Sequence, residues 1–191
     1  MALHFLDDAL LGLMAALDEE TIAHCGRVQT LALTLGELMG LQPSQLLDLR
    51  LGAYIHDIGK QYIPESILKK KAPLTPQEWA LIEQHPRWGY DLVAPLNLGE
   101  GAKRIVLEHH LWANGQGDYP QELIGTKPCL LAQIATVADV VDAMSSHRAY
   151  RQALSVAASL EYLEEHAGTK FNAEIVAMFK AEIYPFLRKS G

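Results

Sequence analysis

The sequence "TIAHCGRVQTLALTLGELMG" at residues 21–40 indicates the fold class. Apolar residues recur every three or four positions from Ile22 to Met39, which is the spacing of an amphipathic helix. Gly40 follows the last apolar residue and predicts the end of the helix there. The same periodicity runs through nearly the whole chain, and alternating strand patterns are absent. The sequence therefore predicts an all-α fold.

Further helices are predicted on both sides of this stretch. The first 18 residues have the pattern of an amphipathic helix, and Pro43 opens the helix that follows Gly40. Thr75 and Glu78 form a capping-box pattern at the start of a helix that continues to residue 93. The remaining helices are expected near residues 101–111, 130–146, 156–166 and 172–187. Residues 113–128 are rich in Gly, Pro, Asn and Asp and predict an irregular loop.

Composition and charge argue against binding of a nucleic-acid polymer. The chain has 191 residues and a formal charge of −7, and it has no arginine-rich arm or basic helix. Binding of a nucleic-acid polymer relies on an excess of Lys and Arg, so no such partner is expected. A small phosphate-bearing ligand remains compatible, because bound metal ions would supply positive charge locally.

The chain shows no sign of export or membrane insertion. Its N-terminus lacks the charged region of a signal peptide and is interrupted by Asp7, Asp8 and Asp18. No apolar run reaches the roughly 18–20 residues that span a bilayer. Cys25 and Cys129 are the two cysteines and form no CxxC motif, and a disulfide is not expected in a chain without an export signal. The expected location is cytoplasmic.

Histidines and carboxylates supply the candidate chemistry. Each residue alone has a simpler explanation, such as a helix end or a solvated helix face. Together they exceed what one metal ion needs, and imidazole with carboxylate ligands suits Mn, Fe, Co, Ni or Zn. The absence of clustered cysteines argues against a structural zinc site. The candidates are His24, His56, Asp57, His85, His109, His110 and Asp139, with Glu20 one helical turn before His24.

The order of these residues resembles the HD-superfamily metal phosphohydrolases, and specifically the HD-GYP group. The motifs are "HDIGK" at 56–60 and "HH" at 109–110, each in similar surroundings. The segments "IPESILKKKAPLTPQEWALIEQHPRWGYDLV" at 63–93 and "IATVADVVDAMSSHRAYRQALS" at 134–155 also look like that group. The resemblance covers roughly residues 20–187.

The resemblance implies a compact helical HD domain around a di- or trinuclear metal site, acting as a cyclic di-GMP phosphodiesterase. It implies one domain over residues 1–191, with an N-terminal helix at 1–18 and a metal-binding catalytic core at 19–187. Iron or manganese is the first expectation, with Ni, Co and Zn as alternatives. The implied metal ligands are Glu20, His24, His56, Asp57, His85, His109, His110 and Asp139, where Glu20 serves a third ion. The implied catalytic residues are Asp57 and Lys60, and the implied substrate contacts are Lys60, Tyr119, Arg148 and Arg151.

One loop departs from the family pattern. The family reads HHE-x-x-DG-x-GYP, whereas residues 109–120 read "HHLWANGQGDYP". Leu111 and Asn114 replace acidic residues, Asp118 is inserted before Tyr119, and Gln133 stands where arginine is usual. None of these is a metal ligand, so metal binding is expected to survive. Tyr119 is displaced by one residue, and an added carboxylate is unfavourable beside an anionic substrate.

Three functions remain open from the sequence. The first is hydrolysis of cyclic di-GMP to pGpG, with further cleavage to GMP. The second is a catalytically weak receptor that uses the altered loop to bind a cyclic dinucleotide or a protein partner, such as a diguanylate cyclase-type protein. The third is an HD hydrolase of another nucleotide phosphate ester. A separate regulatory protein is a further expected partner.

Overall fold

The structure is a computed structural model that describes residues 8–146 and 153–188. Throughout these ranges the regular structure is helical, apart from one isolated bridge between Ala167 and Phe171. The α-helices are α1 (Asp8–Met14), α2 (Glu19–Leu38), α3 (Pro43–Ile55), α4 (Glu65–Leu68), α5 (Pro76–Ile82), α6 (His85–Val93), α7 (Glu100–Glu108), α8 (Leu130–Ser145), α9 (Val156–Glu165), α10 (Ala173–Met178) and α11 (Tyr184–Leu187). Short 3₁₀ turns lie at Ile58–Tyr62 and Gln121–Leu123. The all-α prediction is confirmed.

The predicted helix boundaries have identifiable causes. Asp18 caps α2, because its side chain accepts the backbone N–H of Thr21 at 3.0 Å. Gly40, just past the end of α2, has a φ of 71°, which glycine adopts without steric cost. At the start of α5 the capping box predicted from Thr75 and Glu78 is present in both directions.

Two long helices predicted from the sequence are interrupted. The helix expected to run from Thr75 to residue 93 is two helices, because α6 starts anew at His85. Pro86 lacks an N–H and would clash with the carbonyl four residues earlier, but it is tolerated in the first turn of a new helix. The last helix contains a π turn at Phe179–Ile183. This turn ends two residues before Pro185, which has no N–H to donate to the preceding turn.

The core lies where α2, α3, α7 and α8 pack against one another, with α9 and α10 closing one side. A smaller apolar cluster joins α1 to α2, α3 and α6 through Leu10, Met14, Cys25, Ile55 and Val93. In the parts of the chain that the structure describes, no helix combines the length and apolarity needed to cross a bilayer.

A close backbone contact connects the turn after α3 to α6. A Cβ atom at Gly59 would collide with the carbonyl oxygen of His85 and with the backbone nitrogen of Gly89. Gly89 in turn leaves no room for a Cβ beside Val106. The glycine of the "HDIGK" motif therefore allows α6 to approach the end of α3, which brings His85 next to Asp57.

Candidate metal centre

Five elements deliver the predicted ligands to one place. The ligands come from the second turn of α2, the end of α3, the first residue of α6, the end of α7 and the middle of α8. In that order they are His24, His56 with Asp57, His85, His109 with His110, and Asp139. The structure divides these residues into two groups of potential ligand atoms.

The first group, called here the His24 group, consists of His24, His56 and Asp57. All three are buried. The Nε2 atoms of His24 and His56 lie 3.8 and 3.4 Å from Asp57 Oδ2. Asp139 adds a second carboxylate, because its Oδ1 lies 3.0 Å from His24 Nε2 and 3.9 Å from His56 Nε2. Two imidazoles and two carboxylates thus converge on one point.

The second group, called here the His85 group, consists of His85, His109 and His110. The Nε2 atoms of His85 and His109 are 3.2 Å apart. The His109 and His110 ring centroids are 4.2 Å apart, and the His85 and His110 centroids 5.0 Å. Three imidazoles therefore converge on one place, and their role as metal ligands stays a prediction.

Asp57 is shared by both groups. Its Oδ1 lies 3.3 Å from His85 Nε2, whereas its Oδ2 faces the His24 group. Lys60, one helical turn further on, donates to Asp57 Oδ2 at 2.6 Å. Asp57 therefore offers one carboxylate oxygen to each group, and its bridging role stays a prediction.

The histidine tautomers leave the inward nitrogens free for metal ions. Nδ1 of His56 lies 2.8 Å from the Ala53 carbonyl, Nδ1 of His85 lies 2.8 Å from the Ile82 carbonyl, and Nδ1 of His109 lies 3.0 Å from the Val106 carbonyl. Because a carbonyl only accepts, each of these Nδ1 atoms carries the proton and each Nε2 presents a lone pair. The Nε2 atom of His56 is buried and has no hydrogen-bond partner among the described residues, whereas His24 Nε2 faces Asp139 Oδ1 at 3.0 Å.

The inward Nε2 atoms of His85 and His109 are 3.2 Å apart, so their lone pairs repel each other unless a proton or a metal ion lies between them. A buried Nε2 atom without a partner, as at His56, is likewise costly. The donor set, made of nitrogen and oxygen atoms without thiolates, suits divalent first-row ions. These residues fit a pair of divalent metal ions.

Asp142 and Arg27 stabilise the His24 group on the Nδ1 side of the His24 ring. His24 Nδ1 donates to Asp142 Oδ2 at 2.6 Å, and the guanidinium of Arg27 binds the same carboxylate with bonds of 2.6 and 3.0 Å. A carboxylate that holds the far nitrogen of a metal-binding histidine fixes the orientation of its ring. Neither Asp142, three residues after Asp139, nor Arg27, three residues after His24, was predicted to have a role in the site.

His24 holds a proton more readily than other histidines of the site, and burial lowers the pKa of His56 in its own group. Burial alone lowers the pKa of His24, but the carboxylates of Asp139 and Asp142 outweigh it and raise this pKa to about 9. Burial holds the pKa of His109 well below its usual value, with His110 adding to the effect. Burial and the neighbouring His85 lower the pKa of His110 to about 3.

The carboxylates of Asp57 and Asp139 remain ionised. Burial tends to raise the pKa of Asp57, but Lys60 and His56 outweigh it and hold this pKa well below the usual value. For Asp139, burial is opposed by His24, and the pKa is again held well below the usual value. Both side chains are therefore charged ligands at neutral pH.

The remaining predicted site residues are placed as follows. Glu20 is exposed on the rim of the cleft and lies outside both groups, so its role at a third ion stays a prediction. Tyr119 is buried, and its ring centroid lies 4.4 Å from that of His110. Arg148 and Arg151 lie outside the described residues, and their contacts with substrate stay predictions.

The altered loop keeps its polar groups occupied. Asn114 Oδ1 accepts the backbone N–H of Gln116 at 2.8 Å, and Leu111 is buried. Asp118 has a φ of 62° and an exposed side chain that accepts a hydrogen bond from the Trp112 indole. The inserted residue takes up one extra position, and Tyr119 still packs on His110.

Gln133, at the position of the usual arginine, ties two neighbouring segments together. Its side-chain nitrogen donates to the Pro128 carbonyl at 2.7 Å, and its side-chain oxygen accepts from Asn172 at 2.8 Å. This residue therefore joins the start of α8 to the start of α10.

A cleft of about 700 Å³ opens onto both groups. His24, Asp57, His85, His110 and Asp139 lie at its base. One wall is formed by the beginning of α2, and the other by residues 67–74 and α5. This volume lies within the range of sites that hold small molecules and cofactors.

Comparison with known proteins agrees with this geometry. The HD-domain family matches residues 10–175. The chain is 36% identical over 162 residues to the cyclic di-GMP phosphodiesterase response regulator RpfG of Xanthomonas campestris, covering 83% of this chain and 42% of that protein. It is 33% identical over 165 residues to the 3'3'-cGAMP-specific phosphodiesterase 2 of Vibrio cholerae, covering 85% of this chain and 31% of that protein. The chain thus spans less than half the length of these curated relatives.

Solved structures show the same fold. The HD domain of the Listeria monocytogenes phosphodiesterase PgpH, in complex with cyclic-di-AMP, matches with a TM-score of 0.68 at 17% identity, over 94% of this chain and 95% of that one. An HDG"Y"P protein of Bdellovibrio bacteriovorus matches with a TM-score of 0.67 at 21% identity, over 90% of this chain and 56% of that one. The predicted family is confirmed: this chain belongs to the HD-domain family and is an HD domain of the HD-GYP type.

Proposed function

We propose that this chain is a metal-dependent phosphodiesterase of cyclic dinucleotides, with cyclic di-GMP as the first expected substrate. The observation that carries the proposal is the shared carboxylate, Asp57, with one oxygen towards each of two histidine groups. Two divalent ions held there would supply a nucleophilic water at neutral pH and offset charge that develops on phosphorus. Iron or manganese is the first choice of ion.

The chain's own residues have distinct roles in this proposal. His24, His56 and Asp139 would hold one ion, and His85, His109 and His110 would hold the other. Asp57 would supply one carboxylate oxygen to each. Lys60 binds Asp57 from the open side of the cleft, where its ammonium group would contact the phosphate or protonate the leaving 3′-oxygen.

The names of the relatives support a cyclic dinucleotide as the substrate class. Two of them are a cyclic di-GMP and a 3'3'-cGAMP phosphodiesterase, and a structural neighbour holds cyclic-di-AMP. Cleavage of one phosphodiester would give the linear dinucleotide pGpG, and cleavage of both would give GMP. Tyr119 packs on His110 at the base of the cleft, where it would contact the bound nucleotide.

A receptor without turnover is less well supported by this structure. That alternative rested on Leu111, Asn114 and Asp118, and none of these side chains belongs to either histidine group. The loop they occupy still packs Tyr119 against His110.

The test is direct. The protein is purified without oxygen, its metal content is measured, and it is incubated with cyclic di-GMP in Mn²⁺ or Fe²⁺ while products are followed by chromatography. The expected result is about two ions per chain and conversion to pGpG or GMP, which is lost on treatment with a chelator. Two bound ions with binding of the nucleotide and no conversion would establish the receptor instead. A panel of other cyclic dinucleotides and nucleotide phosphate esters, run in parallel, identifies the substrate.

A further inference from the structure

We propose that Trp79 and Lys71, on the outer wall of the cleft, form a subsite for the half of the dinucleotide that is not being cleaved. This inference rests on the proposed function, since it assigns the second nucleotide of that same substrate. Trp79 would stack on the second base, and Lys71 would pair with the second phosphate.

Trp79 is an aromatic surface open to the cleft. Its side chain is 49% exposed, although tryptophan is usually well buried. Ile82, three residues later on the same face of α5, also lines the cleft, and its carbonyl holds the metal-binding His85. Trp79 therefore lies one helical turn before Ile82 on the side of α5 that lines the cleft. An indole at this place suits a base, because stacking uses the π-face that every nucleobase has.

Lys71 differs from the other described cations that line the cleft. Each of those already binds a carboxylate: Arg27 binds Asp142, Lys60 binds Asp57, Lys69 binds Glu65, and Lys70 binds Glu78. Lys71 is exposed, and within residues 8–146 and 153–188 it has no ion-pair partner. A second phosphate bound in the cleft would form an ion pair with this lysine, because the other cations there already bind carboxylates.

The wall that carries these two residues is anchored to α5. Lys70 binds Glu78 with bonds of 2.6 and 2.8 Å, and Glu78 also closes the capping box with Thr75. The backbone on both sides of residues 71–74 is thus attached to the helix that presents Trp79. Because these contacts already hold the backbone in place, Lys71 and Trp79 would bind a ligand with little rearrangement of the chain.

The experiment compares two phosphodiesters on the metal-loaded full chain. Cyclic di-GMP has a second base and a second phosphate, whereas bis(4-nitrophenyl) phosphate has neither. The variants are Trp79→Ala, Trp79→Phe and Lys71→Gln. The matched controls are Leu81→Ala, an exposed apolar residue of α5 outside the cleft lining, and Lys127→Gln, an exposed lysine elsewhere.

We expect Trp79→Ala to lower kcat/KM for cyclic di-GMP about 5- to 150-fold, mainly through KM, because stacking energy is lost. Trp79→Phe should retain most of the activity, since it keeps an aromatic face. Lys71→Gln should raise KM at low salt, and the difference from wild type should shrink as salt screens the charge. Rates with bis(4-nitrophenyl) phosphate should be unchanged in all variants.

Two outcomes would overturn the subsite. One is that the Trp79 and Lys71 variants match their controls with cyclic di-GMP. The other is that both substrates are affected alike, which would indicate damage to the metal centre or fold. If wild-type protein does not cleave cyclic di-GMP, calorimetry with that nucleotide in Mn²⁺ decides. Binding lost in Trp79→Ala would keep the subsite and reject the hydrolysis, whereas no binding by wild type would reject the subsite.

Discussion

The His24 and His85 groups use the same kind of side chain in different electrostatic surroundings. Three carboxylates reach the His24 group, from Asp57, Asp139 and Asp142. Among the described residues, the His85 group has one carboxylate oxygen, from Asp57, and is otherwise formed by imidazoles.

The acidic surroundings allow His24 to hold a proton when no metal is bound, whereas His109 and His110 stay neutral. The comparison shows that two ions bridged by one residue need not bind alike. Imidazole ligands favour late first-row ions, and carboxylates accept harder ones such as Mn²⁺. We therefore expect the two sites to differ in affinity and in the pH dependence of metal uptake.

The largest effect is expected where the two groups meet. Asp57→Ala removes the shared ligand, so metal binding should weaken at both sites and turnover should fall by at least about 10³-fold. Metal analysis and product chromatography measure the two effects, and far-UV circular dichroism should show an unchanged helical fold. Asp139→Ala is the matched comparison and should empty only the His24 group. Turnover retained in Asp57→Ala would contradict the bridging role.

A smaller effect is expected from the residue behind His24. Asp142→Ala removes the acceptor that orients the imidazole, which should weaken one of the two ions by about 10- to 100-fold and leave the other unchanged. Calorimetric titration with Mn²⁺ resolves the two sites. Asp91→Ala, an exposed carboxylate on α6, is the control. Equal weakening of both ions would mean that the two groups are not separable as described.

The proton on His24 gives the metal-free protein a specific pH dependence. Because the folded-state pKa is raised from 6.5 to about 9, protonated His24 stabilises the fold fully below pH 6.5, and this contribution is lost as pH rises through about 9. The loss is on the order of 3 kcal/mol.

Thermal unfolding in chelator between pH 6 and pH 9.5 measures this contribution. His24→Gln should flatten the decline in Tm, whereas His166→Gln, on the far end of α9, should leave it in place. A decline that is the same in His24→Gln and wild type would remove this distinction between the groups.

The smallest effect is expected at Asp118. Its carboxylate is exposed, accepts a hydrogen bond from the Trp112 indole and lies outside the residues that line the cleft, so solvent screens its charge from a bound substrate. Asp118→Asn keeps an acceptor for Trp112 and should change kcat/KM for cyclic di-GMP by less than about threefold. Kinetics at low and high salt provide the check. A tenfold gain at low salt would show instead that the inserted charge repels the substrate.

Much of this molecule follows from sequence patterns with local causes. Periodicity predicts the helices, and the capping box at Thr75 is a contact between residues three apart. The break before His85 was missed, although Pro86 carries the signal, because apolar spacing continues on both sides of it. The contact between His24 and Asp142 joins residues 118 positions apart, and no local pattern specifies it. The exposure of Trp79 was missed for the same reason, since tertiary packing decides which face of α5 opens onto the cleft.

The glycine contact between residues 59 and 89 has a consequence for how substrate preference could be altered. The chain leaves the metal centre after the "HDIGK" turn and returns to it at His85, and both points are held by backbone against backbone. The intervening residues 63–81, which end before the Ile82 carbonyl that holds His85, form a segment with two fixed attachment points. Such a segment can be exchanged, lengthened or shortened while the ions keep their spacing. The segment that recognises the second nucleotide would then be exchangeable between related proteins, separately from the residues that take part in hydrolysis.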